Sequence, residues 1–315
     1  MQDVATEHTF CSACSRNVFK RKMSAILPFS MEDLTDKLPS QLQKNSLLGY
    51  QNKIYLKLKI DGNWKIPQWG KSSHLLKLPN VTLGVPYKLA YDMSANEHLS
   101  IQIAKQIFKI PTVECAFLYT EDRLPLYITK LFDVSTAKDF AVLLSTTSDT
   151  HGNNYKYEGN YEEIANYLTQ HSEDKQTDLF NFFKSLVLSL IIRNGDAHLR
   201  NFSMFYNEKS LFTLTPLYDV LNTVLHLDDE SMACYLYKND NKKINIRSLN
   251  RISRKKIIEF ASIIGLHITQ SDSFLAEIAT KQTLINTLID KSFLSQKAKE
   301  LYQDYVDKSY RVFFR

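Results

Sequence analysis

The sequence predicts an α+β fold of two lobes, a small sheet-rich N-lobe followed by a larger helical C-lobe. Residues 46–135 hold a run of strand-like patterns with one helix among them, and residues 136–315 turn to amphipathic helices. A length of 315 residues with 44% hydrophobic content is enough for a large core, or for two lobes sharing a cleft. Residues 1–45 read as a short N-terminal subdomain without a strong core pattern.

The first strand begins at Lys53, where Ile54, Leu56, Leu58 and Ile60 alternate with Lys53, Tyr55, Lys57 and Lys59. Asp61 and Gly62 then supply a tight turn into "WKIP", because this pair tolerates positive φ. A further strand, "HLLKLP", carries Lys77 in its middle. The helix that follows has Ser94 and Glu97 at capping-box spacing and an apolar face of Leu99, Ile103, Ala104, Ile107 and Phe108. "TVECAFLYT" and "LPLYITKLFD" give two more strands.

Helices are predicted over Tyr161–Gln170 and Asp178–Ile192. The polar segment "NGDAHLRN" comes next, then two short strands, "FSMFY" and "LFTLT", around "NEKS". Amphipathic helices fill the remainder: "SRKKIIEFASII", "DSFLAEIATKQTLINTLID" and "SQKAKELYQDYVDKSYRVFF". Tyr302, Tyr305, Tyr310, Phe313 and Phe314 fall at helical spacing and read as packing residues.

Composition narrows the classes. "MQDVATEHTF" carries two acids and has no apolar core of secretion-signal length. The most apolar stretch, "LFNFFKSLVLSLII", has 14 residues and contains Lys184, which fits a buried helix rather than a membrane span. Four cysteines do not make a disulfide scaffold, so a cytoplasmic location is expected. Cys11 and Cys14 have metal-site spacing, yet a full tetrahedral ligand set is not visible; Cys115 and Cys234 read as core residues, and His74 as structural. Net charge is +5, but Lys238–Lys256 concentrates eight Lys or Arg against one acid, Asp240. That run is either a solvated helix face with its loop or a docking surface for an acidic protein or nucleic acid.

The chemistry is suggested by "NGDAHLRN" and the hairpin after it. Asp196 and Asn201 are five residues apart, the two short strands come next, and Asp219 stands just beyond them. Phosphoryl transfer asks for one carboxylate to take a proton from the attacking hydroxyl, and for a separate Asp and Asn to hold Mg²⁺ against the phosphates. Protein kinases order these groups the same way. Asp and Asn are also ordinary turn residues, so the pair alone is weak. The hairpin and Asp219 strengthen it, as does Lys77 on its strand as a candidate for the nucleotide phosphates. Glu97 could pair with Lys77 or merely cap its helix. A phosphate loop of the G-x-G-x-x-G type is absent; only Gly49, in "NSLLGYQNK", precedes the first strand.

Taken together and in order, "NSLLGYQNK", "SSHLLKLP", "ANEHLSIQIAKQIF", "KYE" at Lys156–Glu158, "NGDAHLRNFS" and "LTPLYD" resemble the HipA family of bacterial toxin kinases. The resemblance covers residues 45–225, and the length and short N-terminal region look most like the compact HipT toxin of three-component HipBST systems. It implies a protein-kinase-like fold and an ATP- and Mg²⁺-dependent serine/threonine kinase whose targets are translation proteins such as aminoacyl-tRNA synthetases. Position by position it implies Asp196 as catalytic base, Asn201 and Asp219 as Mg²⁺ ligands and Lys77 on the ATP phosphates. His198 and Arg200 would take support roles, and Gly49 and Gln51 would lie in the phosphate-covering loop. Lys130 to Phe132 would fall at the adenine-contacting hinge, with Lys130 where the family has an acid. Ser46 matches the autophosphorylated serine; Leu48 stands where HipT has a second one. The implied partners are antitoxins of the HipB or HipS type, with DNA reached only through an antitoxin and no membrane role. Two other readings stand beside this one. One is a kinase-fold phosphotransferase for a small molecule or lipid; the other is a catalytically inactive module that binds a partner through Lys238–Lys256.

Overall fold

The computed structural model describes residues 12–42, 53–65, 67, 72–79, 89–132, 136–144, 155–206, 212–228, 230–249 and 252–314. They form two compact units, Met1–His98 with Val113–Phe132, and Leu99–Thr112 with Asp133–Arg315.

The first unit is built on a five-stranded antiparallel sheet in the order β2-β1-β3-β5-β4, with β1 Lys53–Leu58, β2 Trp64–Lys65, β3 His74–Lys77, β4 Cys115–Tyr119 and β5 Pro125–Lys130. The β1–β2 turn uses Gly62 at φ 94°, as the Asp-Gly pair demands. Strand β1 stops at Leu58, one alternation short of the sequence expectation, and Ile60 is fully exposed in the turn. Ile54, Leu56, Leu76, Leu118, Leu126 and Ile128 form the sheet's buried face. Helices α1 (Ser12–Phe19) and α2 (Met31–Leu42) flank it, and Val18, Phe19, Leu27 and Leu34 enter the same core. His74 is structural, as expected: its ring bonds Ser73 Oγ at 2.8 Å and the Val18 carbonyl at 3.0 Å, and Phe19 and Trp64 pack on it.

Helix α3 (Met93–Gln106) follows β3, and its Glu97 does not close a capping box. The helix already begins at Met93, behind a single 3₁₀ turn over Ala90–Asp92, and the Glu97 carboxylate is held by Lys77.

In the second unit, β6 (Ala137–Asp139), β7 (Ser203–Tyr206) and β8 (Phe212–Leu214) make a small antiparallel sheet. Asp139 closes β6 and caps the short helix α4 (Phe140–Leu143), accepting from Val142 N at 3.0 Å. Helix α5 (Tyr161–His171) starts at Asn160, whose side chain accepts from Glu163 N at 2.9 Å. Helix α6 (Lys175–Ile191) is buried along most of its length, as its apolar sequence predicts. Its one internal cation, Lys184, is satisfied by the Lys109 carbonyl at 2.9 Å and lies over the Phe180 ring.

Helices α7 (Arg254–Ile263), α8 (Ile268–Ala279), α9 (Gln282–Asp290) and α10 (Gln296–Phe314) complete the unit. The stretch read as one helix, "DSFLAEIATKQTLINTLID", is therefore two. Thr280 turns its hydroxyl onto the Glu277 carbonyl at 2.8 Å, and the backbone tightens to i→i+3 bonds there. Tyr302 and Phe313 on α10 are buried, matching the packing role expected for the terminal aromatics. Among the described residues no helix is long and apolar enough to cross a membrane.

Candidate active site

In the first unit, Lys77 closes β3 and Glu97 sits one turn into α3. Lys77 Nζ donates to both Glu97 oxygens, at 2.7 and 2.8 Å, with the two side chains 2% and 1% exposed. Strand pairing sets Lys77 opposite Tyr127 on β5, and its ammonium lies 5.7 Å from that ring. A buried pair of this kind costs desolvation that mutual attraction barely returns, so its presence is poor evidence of a stability device. What it does well is fix a lysine in one orientation. Lys130 ends β5 across from His74, and Phe132 lies two residues on, partly buried. Burial and the neighbouring Lys20 charge hold the Lys130 ammonium below its ordinary pKa.

The second unit gathers Asp196, His198, Arg200 and Asn201 into one short turn after α6. Asn201 Nδ2 donates to the Asp196 carbonyl at 2.7 Å, and His198 N to the same carbonyl at 2.8 Å. The Asp196 carboxylate accepts from the Tyr157 hydroxyl at 3.1 Å on Oδ1 and has His198 Nε2 at 3.9 Å from Oδ2. Tyr157 also packs its ring edge-on to His198. From below, Tyr161 donates to the Ala197 carbonyl at 2.9 Å. Gly159 allows close approach here, since a Cβ on it would meet Leu199 Cδ1 at 2.8 Å.

Asp219 follows the β7–β8 hairpin, and bonds to the turn exist on both sides of it. Before it, the Tyr218 hydroxyl reaches Ser203 Oγ at 2.6 Å and donates to the Arg200 carbonyl at 2.8 Å. Beyond it, Thr223 Oγ1 accepts from Gly195 N at 2.9 Å and donates to the Arg193 carbonyl at 3.3 Å. The chain between these anchors is short, so Asp219 is held beside the Asp196–Asn201 turn. Its backbone is left-handed, at φ 55°, a conformation Asp tolerates better than most residues. Burial, aided by the negative charges of Asp139 and Asp219, pushes the Tyr218 phenol well above its ordinary pKa, so it stays a neutral donor.

Arg193 anchors the start of this loop. It is 1% exposed and also left-handed, at φ 60°. Its Nε donates to Ser309 Oγ on α10 at 2.8 Å, and its Nη1 donates to the carbonyls of Ile246, at 2.7 Å, and Arg247. Burial lowers its pKa to about 10, which leaves it charged at neutral pH. Replacing it with Met removes the donor from two carbonyls and a hydroxyl, and unfolding free energy is expected to fall by about 3 kcal/mol. Urea denaturation measures this.

A family model described as HipA-like C-terminal domain matches residues 45–289. The chain belongs to that family. A Haemophilus influenzae relative is 25% identical over 315 residues, covering 90% of this chain and 85% of its own. One from Sinorhizobium fredii is 29% identical over 217 residues, covering 62% of this chain. Both carry the name "putative kinase". The match spans only 49% of the Sinorhizobium protein. Two solved structures share the fold. The Shewanella oneidensis MR-1 HipA, from a complex with HipB and operator DNA, superposes over 90% of this chain and 70% of its own, with TM-score 0.63 and 15% identity. The Helicobacter pylori proinflammatory kinase CtkA superposes over 76% of this chain and 86% of its own, with TM-score 0.53 and 15% identity. The fold is thus kinase-like.

For this HipA-family chain the structure brings Lys77 and Glu97 together in one unit, and Asp196, His198, Arg200, Asn201 and the segment bearing Asp219 together in the other. Ser46, Gly49, Gln51, Cys11 and the Cys14 side chain lie outside the described residues. Sequence reasoning missed Tyr157, Tyr218 and Arg193 as site-shaping residues. Tyr157 was within the quoted "KYE" and Tyr218 directly precedes Asp219, but only coordinates show what their hydroxyls bond. Tyr157→Phe deletes one part-buried hydrogen bond to a carboxylate, and a roughly tenfold loss of turnover with a stability loss of only about 1 kcal/mol is expected. Steady-state kinetics of phosphate transfer checks it.

Five cations of the Lys238–Lys256 stretch have local partners. Arg247 pairs with Asp228 at 2.9 Å, Arg254 with Asp272 at 2.8 Å, and Lys255 with Glu259 at 3.9 Å. Lys243 turns inward onto the Ala233 carbonyl, and Lys256 lies over Tyr237. Cys234, whose thiol burial pushes up to about 12, is an inert core residue.

Proposed function

We propose that this HipA-family chain is an ATP- and Mg²⁺-dependent serine/threonine protein kinase, acting as the toxin of a HipT-like toxin–antitoxin system. The observation that carries the reading is the Lys77–Glu97 pair. A strand lysine locked to a helix glutamate is what a kinase needs to hold nucleotide phosphates, and a binding module needs neither group buried.

The residues present suit the metal. Mg²⁺ wants hard oxygen ligands, and Asn201, having committed its amide nitrogen to the Asp196 carbonyl, has an oxygen to offer. The Asp219 carboxylate is the second ligand. When bound, the ion neutralises charge on the phosphates of ATP. Asp196 accepts the proton of the attacking serine or threonine hydroxyl, whose oxygen bonds the γ-phosphorus as ADP leaves. Tyr157 and His198 orient that carboxylate. Lys77 grips phosphate oxygens, Arg200 supports the loop, and Lys130 and Phe132 border the adenine. Gly49 and Gln51 belong to the phosphate-covering loop, and Ser46 within it is autophosphorylated, which places close to two negative charges where ATP must bind.

The partners proposed are a HipB- or HipS-type antitoxin and a translation protein such as an aminoacyl-tRNA synthetase, with DNA reached only through the antitoxin. The Shewanella relative in complex with HipB and operator DNA supports such partners. The local pairing of Arg247 and Arg254 favours the solvated-face reading of Lys238–Lys256. The test is to express the chain with and without its operon neighbours and map phosphosites on it and on the proteome. Phosphoserine at Ser46 and on a translation protein is expected. Phosphate passing to a metabolite with no protein labelled would overturn the protein-kinase reading in favour of a small-molecule phosphotransferase.

A further inference from the structure

The second unit contains a cavity of about 190 Å³ lined by α6, by the start of β7 and by the segment after β8. Its polar wall includes Thr177, Asp178, Asn181, Ser185 and Thr215, and its apolar wall includes Ile110, Phe202 and Leu217. Asn201 and Leu217 are both on it, so an occupant touches the stretches that carry the two candidate metal ligands.

Asp178 decides what fits. It is 7% exposed, and its Oδ2 is fully used, accepting from Ser172 Oγ at 2.6 Å and from Leu214 N at 2.8 Å. Among the described residues no donor reaches its Oδ1, and no Lys, Arg or His stands within ion-pair distance of the carboxylate. Asp178 lines the cavity with Oδ1 left over for a donor that an occupant brings, and a cationic donor makes the stronger bond to a carboxylate. The nearby cation on the same helix, Lys184, is committed to the Lys109 carbonyl. A bare metal ion suits the space poorly, since most of the wall is apolar and Asp178 is the one carboxylate in it. An ammonium group offers three donors, matching Asp178 Oδ1 and the oxygens of Asn181 and Thr177. For size, a cavity of about 150 Å³ takes up benzene. A ring or short branched chain with one aminomethyl arm fills this one.

We infer that this cavity is a binding site for a small organic ammonium compound with an apolar body, held by Asp178 and seated against Ile110, Phe202 and Leu217. The site stands independently of phosphate transfer, and its test uses no nucleotide.

The probe is benzylammonium, titrated into the full chain labelled at Ile and Leu methyls, with benzyl alcohol as the uncharged counterpart. Saturable shifts at Ile110, Leu214 and Leu217 are expected, with affinity for benzyl alcohol at least about tenfold weaker, since a charge-assisted bond is lost. Asp178→Asn keeps an acceptor for Ser172 and Leu214 and is expected to fold; it should weaken benzylammonium by a similar factor. Thr177→Trp, at the exposed rim, should block both ligands and leaves the Asp178 bonds untouched. Equal binding of the alcohol, or undiminished binding to Asp178→Asn, overturns the ammonium assignment. Absence of shifts at the three methyls, or their persistence in Thr177→Trp, overturns the site.

Discussion

Lys77→Met is expected to lower the unfolding free energy by about 3–5 kcal/mol, because it takes the lysine partner from a carboxylate that is almost fully buried. Both partners are almost fully buried and joined by two short hydrogen bonds, so solvent cannot take over from the lost lysine. The paired change Lys77→Met with Glu97→Leu removes both charges at once. It is expected to recover most of the stability, since apolar residues of similar volume commonly replace a buried pair without loss. Neither protein should transfer phosphate. Urea denaturation separates the cases: the single variant well below wild type, and the double variant close to it yet inactive. Recovery of stability without activity is the signature of a pair kept for function.

Asp196→Asn is expected to reduce the phosphate-transfer rate by about 10²–10⁴-fold, the span that a positioned acid–base group supplies. The fold should survive, for the amide oxygen can still accept from Tyr157, and the Asn201 and His198 bonds to residue 196 go to its backbone carbonyl. What the amide cannot do is take a proton from the attacking hydroxyl. The loss therefore belongs in kcat, with KM for ATP little changed, because Asp196 is not assigned to the nucleotide. Rates under saturating ATP, set beside matched urea midpoints, measure it.

Much of the fold and the loop was legible in the residues. Period-two alternation from Lys53 and the Asp-Gly turn placed β1 and β2, and the Asp196-to-Asn201 spacing with its trailing hairpin marked the loop before any coordinates. These are local signals, set by a few neighbouring side chains. The role of Glu97 was open between cap and partner, because the choice turns on β3, twenty residues away and joined through the sheet. The contribution of Val18, Phe19 and Leu34 to the core was hidden for the same reason: their apolar faces are too short to show a period, and the sheet that covers them comes later in the chain. The break between α8 and α9 carries no Gly or Pro and depends on a Thr hydroxyl choosing a carbonyl, which sequence pattern does not encode. Arg193 reads as one cation after an apolar helix. Only the fold shows it drawing α10 and residues 246–247 onto the start of the Asp196 loop.

The most direct test of phosphoryl transfer at this loop is to incubate the purified chain with Mg²⁺ and γ-labelled ATP, alongside Asp196→Asn and Asp219→Asn variants of matched urea stability. Label on the wild-type protein and background counts on both variants is the expected result. Equal incorporation by either variant would mean that the Asp196–Asn201–Asp219 group does not carry the reaction.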